Sequence, residues 1–179
     1  MIFRQARVHY LVAIFLVSIA PLAGAATKTS SFAVTATVVA NCFINSASAM
    51  TFGNYTPGTG NVDQTSSIVV RCSNTTTYGI GLDAGTGVGS TLGQRTMSIG
   101  VGGTNNVVNY NLYTDSGRTI LWANPITAAT AAGNQGGTGS GLANTATHTV
   151  YGRLADDATS QAATPSALYT STVTLTINY

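Results

Sequence analysis

The sequence predicts an all-β domain, and three observations carry the prediction. Apolar and polar residues alternate with period two through one short segment after another. Turn-forming pairs such as Gly53-Asn54, Pro57-Gly58, Ser116-Gly117 and Asn124-Pro125 fall between those segments. No segment after residue 25 shows a comparable apolar repeat at helical spacing. Short, one-sided strands separated by turns build an antiparallel sandwich or barrel.

The chain opens on a different kind of segment. Arg4 and Arg7 precede an apolar run over residues 11–22, and Ala23-Gly24-Ala25 follows as a small-residue cleavage site. That order is the pattern of a secretory signal peptide, assigned to residues 1–25. The run is interrupted by Ser18 and Pro21 and is shorter than the about 20 apolar residues a membrane span requires. No later stretch approaches a span, so the mature chain, residues 26–179, is expected to be exported without a transmembrane segment. Residues 26–40 are assigned to an N-terminal extension and 41–179 to one β domain.

Composition excludes several classes of function. Charged residues make up 7% of the chain and glutamate is absent, against roughly 25% charged residues in ordinary domains. Removal of Arg4 and Arg7 takes the formal net charge of +2 to zero, with Lys28, Arg71, Arg95, Arg118 and Arg153 facing five aspartates. Without a basic patch there is no phosphate-neutralising surface, so no nucleic-acid partner is expected. A thread of Thr, Ala, Gly, Ser and Asn with few charges suits a subunit that works assembled outside the cell.

The strands follow in order. Residues 31–39 alternate, with Phe32, Val34, Ala36 and Val38 on one face and Ala33, Thr35 and Thr37 on the other. Nine extended residues span about 30 Å. Such a strand pairs either within its own domain or with a different molecule. Cys42 and Cys72 are the only cysteines; an even count in an exported chain favours a disulfide over a metal site or a catalytic thiol. Ile68, Val70 and Cys72 share one face, as do Tyr78, Ile80 and Leu82. The next inward sets are Met97, Ile99 and Val101, then Val108, Tyr110 and Leu112. Residues 128–146 are small and polar and read as a surface loop. Val150 and Leu154 flank Gly152 on an inward face. The closing strand places Val173, Leu175, Ile177 and Tyr179 inward and Thr172, Thr174, Thr176 and Asn178 outward.

Catalytic and metal-binding patterns are weak. His148 is the one histidine after the leader, expected at an exposed or edge position, and no serine sits in a nucleophile-elbow pattern. Asp156-Asp157 reads as a solvated turn, because calcium takes six to eight oxygens. Gly85-Thr86-Gly87-Val88-Gly89 lacks the Lys-Ser/Thr of a phosphate loop and reads as a hairpin loop. No enzyme activity, cofactor or metal is expected.

The order of motifs resembles the spore coat protein U domain family. It runs from the alternating N-terminal strand through Asn41-Cys42, Phe52-Gly53-Asn54-Tyr55-Thr56-Pro57 and Ile68-Val69-Val70-Arg71-Cys72. It continues with Tyr110-Asn111-Leu112-Tyr113-Thr114-Asp115, Val150-Tyr151-Gly152-Arg153 and the closing strand from Val173 to Tyr179. The family's best understood members are subunits of archaic, Csu-type chaperone–usher pili. The resemblance implies an incomplete immunoglobulin-like sandwich that lacks its last strand. It also implies neighbouring pilus subunits, a periplasmic chaperone and an outer-membrane usher as partners, with the fibre at the cell surface supporting adhesion and biofilm formation. Phe32, Val34, Ala36 and Val38 are then the donor side chains, and Val173, Leu175 and Ile177 line the acceptor groove. The alternatives are an extracellular coat or matrix protein and a carbohydrate-binding adhesin module built on the same domain.

Overall fold

The computed structural model describes residues 24–100, 106–124, 135–165 and 168–179. The chain divides into two compact units, Met1–Thr37 and Val38–Tyr179. In the first, the described residues from 24 onward form no helix or strand and are exposed, Phe32 at 88% and Val34 at 83%. Most of the predicted signal peptide lies outside the described residues. Residues 24–41 lie outside every described strand, so the alternating segment 31–39 pairs with no described strand of its own chain.

The second unit is built of strands. They are β1 (Cys42–Ala47), β2 (Val62–Cys72), β3 (Thr77–Leu82), β4 (Arg95–Ser98), β5 (Val107–Tyr113), β6 (Gln135–Thr138), β7 (Ala146–Leu154) and β8 (Leu175–Asn178). A single-turn helix, α1 (Ala158–Gln161), precedes β8 and is capped by Asp157, which accepts from the Ser160 N–H at 2.9 Å. All pairings are antiparallel. One sheet has five strands in the order β1-β2-β7-β5-β4, the other three in the order β6-β3-β8. The chain is therefore all-β with two antiparallel sheets, as the period-two pattern predicts.

The alternation fixes which face is buried. Ile68 and Val70 of β2, Val108, Tyr110 and Leu112 of β5, and Val150 and Leu154 of β7 form the core with Tyr78, Ile80 and Leu82 of β3. Each is the inward member of an alternating run. Two further core residues are polar at one end. Trp122 is wholly buried and donates through Nε1 to the Ile80 carbonyl at 3.0 Å. Arg95 is wholly buried, and donates to the Leu82, Asp83 and Trp122 carbonyls, each at 2.9 Å. Carbonyl dipoles thus stand in for a counter-ion around a buried cation, while burial holds its guanidinium below its ordinary value. The Cys42–Cys72 disulfide joins directly opposed residues of β1 and β2 across 30 positions of sequence.

Several local expectations are corrected. Within the supposed loop 128–146, residues 128–134 lie outside the described residues, but Gln135–Thr138 form β6 on the edge of β3, and Ala146 opens β7. Glycines suit that strand because Tyr78 lies against it: a methyl group on Gly137 would meet Tyr78 Oη at 3.1 Å. Main-chain pairing, not side-chain burial, forms β6. Gly85–Gly89 is no hairpin loop, because β3 and β4 belong to different sheets and the segment crosses between them. It passes so close to β4 that a methyl group on Gly87 would lie 1.8 Å from the Thr96 carbonyl oxygen. Val101 lies outside the described residues.

Asp156 and Asp157 are not merely solvated. The Asp156 carboxylate accepts from the Tyr55 hydroxyl and from the Gly58 and Gly60 N–H groups, tying the 55–60 turn to the end of β7. The Tyr55 bond, first among these, holds its pKa down at about 2. Asp157 accepts from Asn109 Nδ2 at 2.7 Å as well as capping α1. His148 is inside β7, not at an exposed edge. It stands opposite Ile68 and shares a 2.9 Å hydrogen bond with the Tyr78 hydroxyl, linking the two sheets. Tyr179 is exposed rather than inward, because ladder pairing ends at Asn178 opposite Gly79.

Candidate functional site

Three strands do not cover the inner face of five. The three-stranded sheet ends at β8, which pairs with β3 on one side and with no described strand on the other. Residues 172–174 lead into β8 with one main-chain bond to the β3 side, from the Asp83 N–H to the Thr174 carbonyl. The Thr172 N–H donates to Thr86 Oγ1 and the Thr174 N–H to Asp83 Oδ1, at 2.9 and 2.8 Å. That is why the strand is shorter than its alternating pattern. Burial pushes the Asp83 carboxyl up, but bonds from Thr174 and Gly85 outweigh it and hold the group below its ordinary value.

Ladder geometry decides what the open edge offers. The Asp83 N–H donates to the Thr174 carbonyl at 3.0 Å, while Leu82 N–H donates to the Ala123 carbonyl, away from β8. Leu82 is opposite Leu175, and Ile80 opposite Ile177. Alternation along an antiparallel strand then turns the main-chain groups of Val173, Leu175 and Ile177 to the open side. The same three side chains point inward and pack against the core. A backbone edge and an apolar side-chain row therefore face one vacant lane.

The lane opens onto a cleft of about 410 Å³ between the segment after β1 and the segment before β8. Its floor is the inner face of the large sheet: Ile68, Val150, Leu112, Tyr110 and Met97. Val173 and Leu175 form part of one wall, and residues 47–50 and 52 the other. Ile177 packs against the core but is not among the lining residues. No lining residue is charged. A second cleft of about 780 Å³, lined in part by residues 163–165 and 168–171, shares Met50, Phe52, Met97 and Ser171 with the first. Burial comes first among the causes that raise the Tyr110 hydroxyl above its ordinary value.

β1 bears the mark of the same gap. Ile44 is opposite Val70, so both point inward, yet Val70 is wholly buried and Ile44 is 47% exposed. Directly opposed residues of one face differ this much only where one has nothing above it. Among the sequence-predicted site residues, Val173 and Leu175 meet in the cleft and Ile177 continues their row. Phe32, Val34 and Ala36 lie exposed in the first unit, and Val38 lies in the second, 90% exposed.

Sequence reasoning passed over Ile44, Met50 and Phe52. Met50 sits outside any strand, where no periodicity marks it, and Phe52 entered only as part of a motif. Among the described residues no group of three or more His, Cys, Asp or Glu is placed to hold a metal ion, and no helix is long and apolar enough to cross a membrane.

Comparison with known proteins adds a family. The family model of the Spore Coat Protein U domain matches residues 28–176, so the chain belongs to that family. Among solved structures, the chain is similar to a chain of a chaperone–tip adhesion subunit pre-assembly complex from archaic chaperone–usher Csu pili of Acinetobacter baumannii. The identity is 18% and the TM-score 0.48, over 80% of this chain and 41% of that one. No curated protein matches.

Proposed function

We propose that this Spore Coat Protein U domain protein is a structural subunit of a surface pilus, completed by a strand from another molecule. The observation that carries the reading is the vacant lane beside β8, where Val173 and Leu175 line an uncharged, largely apolar cleft and Ile177 continues their inward row. β-Augmentation uses this combination: backbone hydrogen bonds give affinity and register, and alternate side chains enter the cleft. Residues 31–39, within the extension 26–40, supply the matching strand to the next subunit, with Phe32, Val34, Ala36 and Val38 turned inward. Burying one Phe and two Val side chains contributes about 5–9 kcal/mol before ordering costs.

An unfilled lane is also an aggregation-prone edge. A periplasmic chaperone fills it first, and the extension of the next subunit replaces the chaperone at an outer-membrane usher, as the family resemblance implies. The signal peptide over 1–25 delivers the chain to that pathway. The fibre works at the cell surface in adhesion and biofilm formation, and the subunit itself carries out no catalysis.

The test is removal of residues 26–39. The shortened chain should still be recovered folded with its chaperone but form no polymer, read as heat-stable ladders on gels. Polymer from the shortened chain, or misfolding despite the chaperone, refutes the reading in favour of an ordinary internal strand.

A further inference from the structure

The Val150-Tyr151-Gly152-Arg153 motif holds a glycine with no conformational need to be one, since Gly152 is not among the positive-φ residues. What a side chain there would meet is Met50, which would have to move. A methyl group there would lie 2.0 Å from Met50 Sδ, 2.9 Å from Met50 Cε and 3.1 Å from Phe52 Cζ. The thioether of Met50 is thus seated directly on the backbone of β7, with the Phe52 ring beside it. Both residues line both clefts, facing Met97 and Ser171. They stand as a ridge where the two clefts meet, and Met50 cannot sink further because the β7 backbone is beneath it.

We infer that this ridge sets the size of side chain the inserted strand presents at one point, and that Ala36 is the residue that crosses it. The inference rests on the reading of 31–39 as the inserted strand. The inward face of that segment is Phe32, Val34, Ala36 and Val38, one small side chain among three large ones. Where Met50 and Phe52 already fill the space over the β7 backbone, a small residue is accommodated best, since added methyl groups in a packed site displace their neighbours. Gly152 and Met50 are accordingly specificity-determining residues, and the glycine of the motif keeps the lane open.

The experiment compares polymer yield from full-length exported variants, with thermal melting of each to verify folding. Ala36→Val should lower the yield roughly tenfold or more, and Ala36→Val combined with Met50→Ala should restore it. Gly152→Ala, which lifts Met50 into the cleft, should lower the yield of the otherwise wild-type chain, and adding Met50→Ala should restore that as well. Wild-type yield from Ala36→Val, or from a folded Gly152→Ala variant, overturns the inference. So does a folded Met50→Ala background that rescues neither. If Met50→Ala does not fold, the Ala36→Val and Gly152→Ala yields decide alone. Val34→Asp, run alongside, separates the two levels. If it assembles normally, the inserted-strand reading falls; if it blocks assembly while Ala36→Val does not, only the ridge assignment falls.

Discussion

Placing a charge at Val34 should stop assembly, whereas the same charge one residue along should not. In the single chain the Val34 side chain is 83% exposed, so Val34→Asp costs the folded subunit almost nothing. The cost arises on insertion. The first cleft has no charged lining residue, so a carboxylate entering it finds no counter-ion. Burying it ionised costs several kcal/mol. The cheaper route is protonation, which at pH 7 costs about 4 kcal/mol for a group with a pKa near 3.9. Losing the Val burial removes a further about 1.5–3 kcal/mol. The total rivals the about 5–9 kcal/mol available from the whole apolar face. The protonation cost alone weakens association about a thousandfold. Thr35 belongs to the opposite face, so Thr35→Asp should assemble near wild-type level. Electron microscopy and heat-stable polymer ladders measure both. Assembly of Val34→Asp should also recover partly near pH 4, where protonating the carboxyl costs only about 0.5 kcal/mol. Equal yields from the two variants at pH 7 would refute the donor-strand assignment.

Two other perturbations test the frame. Replacing Cys42 and Cys72 by alanine should cost roughly 3–4 kcal/mol in the chain-entropy account of a bridge closing 30 residues. That lowers Tm by roughly 6–16 °C, and intact-mass analysis of the exported wild type should find no free thiol. His148 makes stability depend on pH in a separate window. Burial holds its imidazole below its ordinary value of 6.5, so the folded state favours the neutral ring bound to Tyr78. Its contribution is complete above pH 6.5 and is lost as pH falls through the depressed folded-state value. Asp63, Asp83 and Asp156, held below 3.8, act only in more acid solution. Melting curves at pH 7 and pH 5 should therefore differ by a few degrees in the wild type and less in His148→Gln.

Much of the fold was legible because burial and period two coincide. Ile68, Val70 and Cys72, or Val108, Tyr110 and Leu112, announce their inward face without help from neighbours. β6 was not legible, because Gln135–Thr138 is held by main-chain pairing to β3 and carries no side-chain pattern. His148 and Arg95 were missed for a related reason. A polar residue on an inward face breaks the alternation that would reveal it, and only the partner brought across the sandwich, Tyr78 or the carbonyls of Leu82, Asp83 and Trp122, makes its burial tolerable. The row Val173, Leu175 and Ile177 could be read from alternation. The opposite wall around Met50 and Phe52 could not, since it lies outside the strands and gains meaning only from crossing β7 at Gly152.

An apolar cleft in water should close on itself, and the polar bonds at its margins explain how this one stays open. Arg95 holds the end of β3 to the Trp122 carbonyl. Asp83, next in the chain, then holds the Thr174 N–H. On the near side Thr170 pairs with Ser98 through two main-chain bonds of 3.0 and 3.1 Å. Across the cleft, Ser48 is bonded to Ser67 through both main chain and side chain, and the disulfide secures the start of β1. Both walls are thus held by hydrogen bonds, some within a sheet and some between the two, so collapse would break several of them to bury a few side chains. At about 1 kcal/mol net per bond, that exchange gains little. A cleft held open beforehand spares the incoming strand the cost of ordering its acceptor, and most of the energy of apolar burial and edge pairing is then available for assembly.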